Sequence, residues 1–165
     1  MTDYTRYDLD EIHEEGKKVG QLLFREAFRE VSEQYPVGSP NIENQEDFQE
    51  ELARDFDERD ENYRSHSPFE YFAKQLNERP DRDEAWNSYK EGLGEAFDDC
   101  WGDCRVPITE DKAKERTEEW LNDIYGDVQI CGMYFDAGKA LRDVDPEAFW
   151  QEMLNWLDRN EYEIQ

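Results

Sequence analysis

Residues 44–63 have the sequence NQEDFQEELARDFDERDENY, in which a large apolar side chain recurs at every fourth position. Phe48, Leu52 and Phe56 therefore fall on one stripe of an α helix, because side chains four residues apart lie on the same helical face. The spacing predicts a helix over residues 44–63 whose apolar stripe packs on the rest of the protein.

Nine acidic residues surround this stripe, and only Arg54 and Arg59 oppose them. They are Glu46, Asp47, Glu50, Glu51, Asp55, Asp57, Glu58, Asp60 and Glu61. Like charges at i,i+4 spacing destabilise an isolated helix, so this helix needs tertiary support. The segment predicts a folded helical body with a strongly negative surface.

The whole chain has the same acidic character. Its 165 residues contain 44 Asp and Glu against 19 Lys and Arg, a net charge of −25, whereas a magnitude of about 2–8 suffices to keep a small domain soluble. Mean hydropathy of −1.15 is typical of disorder, but five Trp, nine Tyr and nine Phe favour a packed core. We expect one domain spanning residues 1–165, with residues 1–7 and 159–165 frayed.

Helix signals recur along the rest of the chain. The predicted N-caps are Asp8 or Asp10, Ser67 followed by Pro68, Asp81, Thr109, Asp127, and Asp145 followed by Pro146. The first of these helices runs to about Gln34 and contains Gly16 and Gly20, four residues apart on one side. Glycine is unfavourable inside a helix, so this pair predicts either close packing of a second helix or a kink.

Two segments are less regular. Residues 101–108 are predicted to form a loop around Gly102 and Pro107. A helix is predicted from Val128 to about Arg142, with a short strand at residues 128–131 as the alternative. Because period-2 alternation is almost absent, the fold class predicted is all-α, a single-domain bundle of about six or seven helices with short loops.

No catalytic, cofactor or metal motif stands out. Cys100 and Cys104 are four residues apart, and with Cys131 and either His13 or His66 they would complete a zinc ligand set, but this is not the usual knuckle spacing. We interpret the cysteines as small buried side chains. With two histidines in the chain and no phosphate-binding glycine loop, we expect neither an enzyme nor a cofactor.

The composition also restricts the partners. Direct binding to nucleic acid is disfavoured, because phosphates repel an acidic surface that has no basic patch. No apolar run approaches the roughly 18 residues that a membrane span needs. The polar N-terminal sequence and the odd number of cysteines favour a reducing, cytoplasmic setting.

The acidic residues themselves are the candidate site. Carboxylates at i and i+4 on a helix are about 6 Å apart along its axis, while phosphates on one DNA strand are about 3.4 Å apart. Rows on the 44–63 helix therefore approximate a row of phosphates. Further rows are expected at Glu91, Glu95, Asp98, Asp99 and Asp103 and at Glu110, Asp111, Glu115, Glu118 and Glu119.

A small, helical, very acidic chain without motifs resembles, in kind, the nucleic-acid mimics with which phages and mobile elements inhibit restriction and CRISPR enzymes. The resemblance concerns charge and fold class and carries over no site residue. It implies a non-enzymatic inhibitor that binds a basic protein surface, the DNA- or RNA-binding channel of a nuclease, and blocks it.

Two alternatives remain open. In the first alternative, the chain would be a structural or adaptor protein of a phage, plasmid or salt-adapted organism, and its charge would serve solubility. Independently, the last helix has a wide apolar arc that leaves Trp150 and Leu154 at its edge. If exposed, these two side chains form an apolar interface for a partner or a homodimer; burial under the preceding segment is the other possibility.

Overall fold

A computed structural model describes residues 3–66 and 69–165, and within these ranges the chain forms seven α helices, confirming the predicted helical class. A short 3-10 helix, Tyr4–Arg6, precedes them. The helices are α1 Leu9–Gln34, α2 Gln45–Arg64, α3 Phe69–Asn77, α4 Arg82–Asp103, α5 Glu110–Tyr125, α6 Ala137–Val144 and α7 Pro146–Arg159. Four short strands accompany them: β1 Val106–Ile108, β2 Asp127–Ile130, β3 Met133–Asp136 and β4 Tyr162–Ile164.

Local capping explains several helix starts. Asp8 Oδ1 accepts a hydrogen bond from Glu11 N at 2.8 Å, and Glu11 Oε2 accepts one from Asp8 N at 2.9 Å, which is a reciprocal capping box. Thr109 and Asp145 cap α5 and α7 as predicted. The predicted cap at Ser67 and Pro68 lies outside the described residues.

The chain divides into two compact units. The helical unit comprises residues 3–34 and 49–104, and the mixed unit comprises residues 35–48 and 105–165. Helix α2 contributes its first residues, up to Phe48, to the mixed unit and the rest to the helical unit. The single domain expected from the sequence stays a prediction.

The helical unit is built on a close pairing of α1 with α4. A methyl group on Gly16 would collide with the carbonyl oxygen of Tyr89, and one on Gly20 would lie 2.7 Å from the Cβ of Ala96. Gly92 completes the contact from the side of α4, because its Cα faces the carbonyl of His13. Close helix packing, the first of the two predicted explanations for Gly16 and Gly20, is therefore confirmed.

Aromatic side chains attach α2 to this pair. Leu52 and Phe56 are buried, as their spacing predicted. The ring of Phe56 meets the ring of Phe97 edge-on at 5.2 Å, and Phe97 meets Phe24 of α1 at 5.3 Å. The acidic helix is therefore held by an apolar stripe, as expected.

Residues 3–7 are not frayed, which corrects the sequence prediction. Tyr4 N donates a hydrogen bond to Gln75 Oε1 at 2.6 Å, and Arg79 Nη1 donates to the carbonyl of Tyr7 at 2.6 Å. The ring of Tyr4 also packs edge-on against Phe72 at 4.7 Å. These contacts with α3 and the residues that follow it cannot be seen in a local pattern.

The mixed unit contains a parallel strand pair that the sequence did not predict. Strand β1, expected as part of a loop, is buried and pairs in parallel with β4, so that Val106 lies opposite Tyr162 and Ile108 opposite Ile164. The expectation that residues 159–165 fray is therefore wrong. Tyr162 stacks on Trp156 of α7 at 5.4 Å, which supplies the packing that orders this segment.

Strands β2 and β3 form an antiparallel hairpin, so the helix predicted from Val128 to Arg142 is wrong and the strand alternative is right. The reason is the two-residue turn, where Cys131 and Gly132 have φ values of 53° and 79°. Two successive left-handed residues define the tight hairpin turn that matches strand twist. Helix α6 begins only after the hairpin, at Ala137.

Candidate functional site

The outer face of α2 carries an aligned row of carboxylates in the helical unit. Glu50, Asp57 and Glu61 are exposed and lie within an arc of about 40°, opposite the apolar stripe, at 3.6 residues per turn. Their spacings along the axis are about 10 Å and about 6 Å. Within the described parts of the chain none of the three has an ion-pair partner, so we call them the α2 acid row.

A second row predicted on α2 is neutralised by the chain itself. Glu51 pairs with Arg54, and Asp55 Oδ2 lies 2.6 Å from Arg59 Nε. Arg59 also reaches Glu30 of α1, at 3.2 Å. Both pairs lie within α2 and only Arg59 connects it to α1, so Glu51 and Asp55 are neutralised locally and offer less charge to a partner.

Asp60 is buried and does not belong to an exposed row, which corrects the sequence prediction. It accepts a hydrogen bond from the Tyr89 hydroxyl at 3.1 Å and pairs with Arg64 at 2.5 Å. Burial and the neighbouring Asp60 carboxylate raise the pKa of Tyr89 far above its ordinary value, so the phenol stays protonated and donates. Arg64 also lies 5.0 Å above the Trp86 ring. This cluster joins α2 to α4.

Helix α4 adds two exposed carboxylates on its own outer face. Glu91 and Asp98 are seven residues apart and so lie on one side of the helix, about 10 Å apart along it. Glu95, between them, is bound within the chain: His13 Nε2 lies 2.6 Å from its carboxylate and Lys17 Nζ 3.3 Å. Hydrogen bonds from these two groups lower the pKa of Glu95.

Four of the acids of α2 and α4, Asp57, Asp60, Glu61 and Asp98, line one open groove of about 530 Å3 in the helical unit. Asp57, Glu61 and Asp98 stand on its rim, and the apolar floor includes Leu93 and Phe97. We call this the acidic groove. Its complete lining is Ala53, Phe56, Asp57, Asp60, Glu61, Arg64, Lys90, Leu93, Gly94, Phe97 and Asp98.

The electrostatics of the groove are unfavourable to the protein itself. Partial burial raises the pKa of Asp57, and the nearby carboxylates of Asp60 and Glu61 raise it further. Ionising Asp57 is therefore harder in the folded protein than in the unfolded chain. The groove concentrates negative charge at a cost to stability, which is a property of many functional sites.

The remaining predicted acids are distributed over other elements. Glu46, Glu58, Asp99 and Asp103 are exposed, and Asp47 Oδ2 accepts a hydrogen bond from Glu43 N at 2.9 Å. On α5 in the mixed unit, Asp111 and Glu119 are exposed, whereas three other acids are paired. The α5 pairs are Glu110 with Lys114, Glu115 with Lys112 and Glu118 with Arg142.

The predicted apolar interface on α7 is exposed. Trp150 and Leu154 are 39% and 40% accessible, while Phe149, Met153 and Trp156 face the core of the mixed unit. The alternative, burial under the preceding segment, is therefore wrong.

A second apolar surface in the mixed unit was missed from sequence. Ile130 and Met133 on the hairpin and Val144 at the end of α6 are strongly exposed. The signal for it was present: VQICGMYF alternates around a Cys-Gly turn, a pattern typical of a hairpin with one apolar face.

The candidate metal ligands are not brought together. Among the residues that the structure describes, no three His, Cys, Asp or Glu side chains are grouped to hold a metal ion. Cys104 Sγ donates to the carbonyl of Trp101 at 3.2 Å. Burial, with Asp99 and Asp103 nearby, raises the pKa of the Cys100 thiol, which disfavours the thiolate needed in a ligand or nucleophile.

Comparison of the chain with protein families, curated proteins and solved structures found no match. In the described part of the chain, every helix is too short or too polar to cross a bilayer. We therefore infer a function from the geometry and charge of these surfaces.

Proposed function

We propose that this protein is a non-enzymatic inhibitor that imitates a nucleic-acid backbone and occupies the basic binding channel of a target protein. The acidic groove and the α2 acid row would face the Lys and Arg side chains that normally hold phosphates. The observation that carries the proposal is the α2 acid row, Glu50, Asp57 and Glu61, which is aligned, exposed and without a cationic partner among the described residues.

The spacing of this row supports the proposal. Its intervals of about 10 Å and about 6 Å correspond to about three and about two phosphate steps of a single strand at about 3.4 Å each. Cations that contact every second or third phosphate would therefore find carboxylates at compatible positions, with Arg54 in the longer interval. Charge pairing and counterion release would supply affinity, and the apolar floor of the groove would add contact area.

The selective neutralisation of charge also supports it. Arg59 pairs with Asp55 and also reaches Glu30 of α1, and the exposed Arg54 pairs with Glu51 of the same helix, yet the α2 acid row has no ion-pair partner among the described residues. Asp57 stays crowded by like charges although a neutral residue there would favour folding. Solubility depends on net charge and does not require carboxylates to be placed next to one another.

Under this proposal the protein acts in the cytoplasm of a cell carrying a phage or plasmid. A defence nuclease of the restriction or CRISPR type is the kind of target whose channel has the required charge. Direct contact with nucleic acid or a membrane is not part of the mechanism, because both surfaces are anionic.

The test compares two charge-matched triple variants in affinity capture from a cell lysate. The first, Glu50→Gln with Asp57→Asn and Glu61→Gln, removes the α2 acid row; the second, Glu70→Gln with Glu78→Gln and Asp83→Asn, removes three exposed acids elsewhere in the helical unit. The candidate targets are the proteins that bind wild type and are released by duplex DNA. The second variant should bind these proteins as wild type does. The first variant should bind them at least about tenfold more weakly.

The captured target is then purified and its own DNA binding measured with and without this protein. We expect competition, and an affinity that falls steeply between about 0.05 and about 0.5 M salt. An affinity that does not change with salt, or an equal loss in both triple variants, would remove the proposal.

A second candidate is a structural or adaptor protein whose charge serves solubility. It is favoured by the exposed acids on α5 in the mixed unit, such as Asp111 and Glu119, which lie outside the acidic groove. It predicts that the α2 row variant keeps full activity and loses only solubility.

A further inference from the structure

Strand β4 is the open edge of the parallel strand pair in the mixed unit. Strand β1 is paired on both sides, because Val37 pairs with it at Ile108 on the side away from β4. The other side of β4 has no strand beside it in the part of the chain that the structure describes. We propose that this edge binds an extended segment of a protein partner as an added antiparallel strand, with a Lys or Arg of that segment opposite Glu163.

The ladder between β1 and β4 uses alternate residues of β4. Val106 N donates to Glu161 O at 2.9 Å, and Gln165 N donates to Ile108 O at 3.2 Å. With the parallel register, these bonds place the inward-facing backbone groups of β4 on residues 161, 163 and 165. The two residues between them therefore face outward.

Tyr162 and Ile164 present two N–H and two C=O groups to the open edge. On that side neither residue makes a backbone hydrogen bond with any described part of the chain. Unpaired backbone donors and acceptors along an edge are the template on which a further β strand pairs. An antiparallel strand would exchange two hydrogen bonds with Tyr162 and two with Ile164.

Strand β4 is held in its extended form without a partner. Tyr162 stacks on Trp156 at 5.4 Å, and both Tyr162 and Ile164 are half-buried. Because the strand is already ordered, pairing costs it little conformational entropy. Glu161, which leads into the strand, has a φ of 60°, in the left-handed region that favours glycine. Backbone strain of this kind clusters at binding sites.

The side chain between the two outward residues determines the charge of the partner. Glu163 is exposed and has no ion-pair partner in the described ranges, and it lies on the opposite face of the strand from Tyr162 and Ile164. In the antiparallel pairing it would stand directly opposite one partner side chain, where like charges destabilise the pair and opposite charges stabilise it. A Lys or Arg between two β-branched residues therefore fits this edge.

A second copy of this chain is a poor occupant of the edge. Antiparallel pairing of two β4 strands through their outward residues would place the two Glu163 carboxylates opposite each other, on molecules with a net charge of −25 each. Charged residues protect many edge strands from self-pairing in this way. The edge shares no residue with the acidic groove or the α2 acid row, so this proposal and the inhibitor function can fail separately.

The experiment uses three peptides of about eight residues, within the usual length of a strand, in which Val and Lys alternate. One is unmodified, one has N-methyl groups on its Val amides, which would face β4, and one has them on its Lys amides, which would face away. All three have the same charge, so general attraction to an acidic protein is matched.

Binding to the full chain is followed by NMR titration of the Tyr162 and Ile164 amides at about 0.15 M salt. We expect the peptide methylated on Val to bind at least about tenfold more weakly than the other two, because it loses the amide donors that pair with β4. Equal affinities of the two methylated peptides would overturn the proposal.

Two variants at one position test the location. Ile164→Pro removes an outward N–H and no ladder bond to β1, whereas Ile164→Ala loses the same side chain and keeps that N–H. We expect Ile164→Pro to bind the unmodified peptide about fivefold more weakly than Ile164→Ala, while the Val106 amide stays protected from hydrogen exchange in both. If Ile164→Pro loses this protection, the peptide comparison alone decides. Equal binding by two folded variants would contradict the proposal, as would a wild-type homodimer that Ile164→Pro dissociates in sedimentation.

Discussion

Gly92 and Gly94 are two residues apart on α4, and a methyl group has opposite consequences at the two positions. At Gly92 it would collide with the backbone of α1 at His13, whereas at Gly94 nothing lies within 4 Å. We expect Gly92→Ala to lower the free energy of unfolding by about 1–3 kcal/mol through overpacking. Gly94→Ala should raise it by up to about 1 kcal/mol through helix propensity.

Urea denaturation of both variants measures this difference. Circular dichroism confirms that each keeps its helix content before unfolding. A neutral or stabilising Gly92→Ala would mean that α1 and α4 do not approach closely in solution.

Asp57 provides a pH-dependent prediction. Its pKa is raised above 3.8 in the folded protein, so the folded state binds this proton more tightly than the unfolded chain does. Ionising Asp57 therefore lowers stability as the pH rises through its folded-state pKa. We expect Asp57→Asn to raise the melting temperature at pH 7, with a gain that shrinks on acidification and vanishes below about pH 3.8.

Glu58→Gln is the matched control for this substitution. Glu58 is an exposed neighbour on α2 that does not line the acidic groove, so its substitution should give a smaller gain. Melting curves from pH 3 to pH 8 compare the two variants. Equal gains at both positions would show that general repulsion, and not crowding in the groove, raises the pKa of Asp57.

Strand β4 is the element that sequence patterns missed most completely. The Val106 amide donates to the carbonyl of Glu161 at 2.9 Å, and the Gln165 amide donates to that of Ile108 at 3.2 Å. We expect Tyr162→Ala to lower the free energy of unfolding by about 1–3 kcal/mol, because it removes a half-buried aromatic stack on Trp156.

Hydrogen exchange provides the corresponding local measurement. The amides of Val106 and Gln165 should be protected in wild type and exchange faster in Tyr162→Ala. Tyr134→Ala, at an exposed hairpin position, should leave both unchanged. Fast exchange at both amides in wild type would show that β4 is not paired.

The elements differ in how far the sequence could predict them, for a physical reason. Capping and helical periodicity are local, so the starts of α1, α5 and α7 follow from Asp8, Thr109 and Asp145. The pairing of Val106 with Tyr162 depends on residues far apart in sequence, and no local pattern specifies it. The β2–β3 hairpin was partly predictable from the sequence. Its alternation and Gly132 indicate a hairpin, but its apolar content also fits a helix.

The charge distribution of the whole molecule is also only partly predictable from the sequence. The sequence determines the net charge of −25, and helical spacing alone implies rows of carboxylates on α2. It could not show that Asp60 is buried beneath Tyr89, nor that Glu95 is bound by His13 and Lys17, because these partners come from other helices. Which carboxylates remain available to a partner is therefore a tertiary property.

Repulsion among the unpaired carboxylates also predicts how the whole molecule responds to salt. The screening length falls from about 30 Å at 0.01 M to about 10 Å at 0.1 M salt, so we expect the melting temperature to rise with salt over this range. The variant Glu50→Gln with Asp57→Asn and Glu61→Gln should melt higher than wild type in dilute buffer and approach it at high salt. The charge-matched variant Glu70→Gln with Glu78→Gln and Asp83→Asn should gain less, because only the first variant relieves the crowding around Asp57. A chain that is unfolded in dilute buffer and folds only in molar salt would instead favour salt adaptation. A protein that binds a basic channel through unscreened charge must be folded at low salt, because screening is weak there.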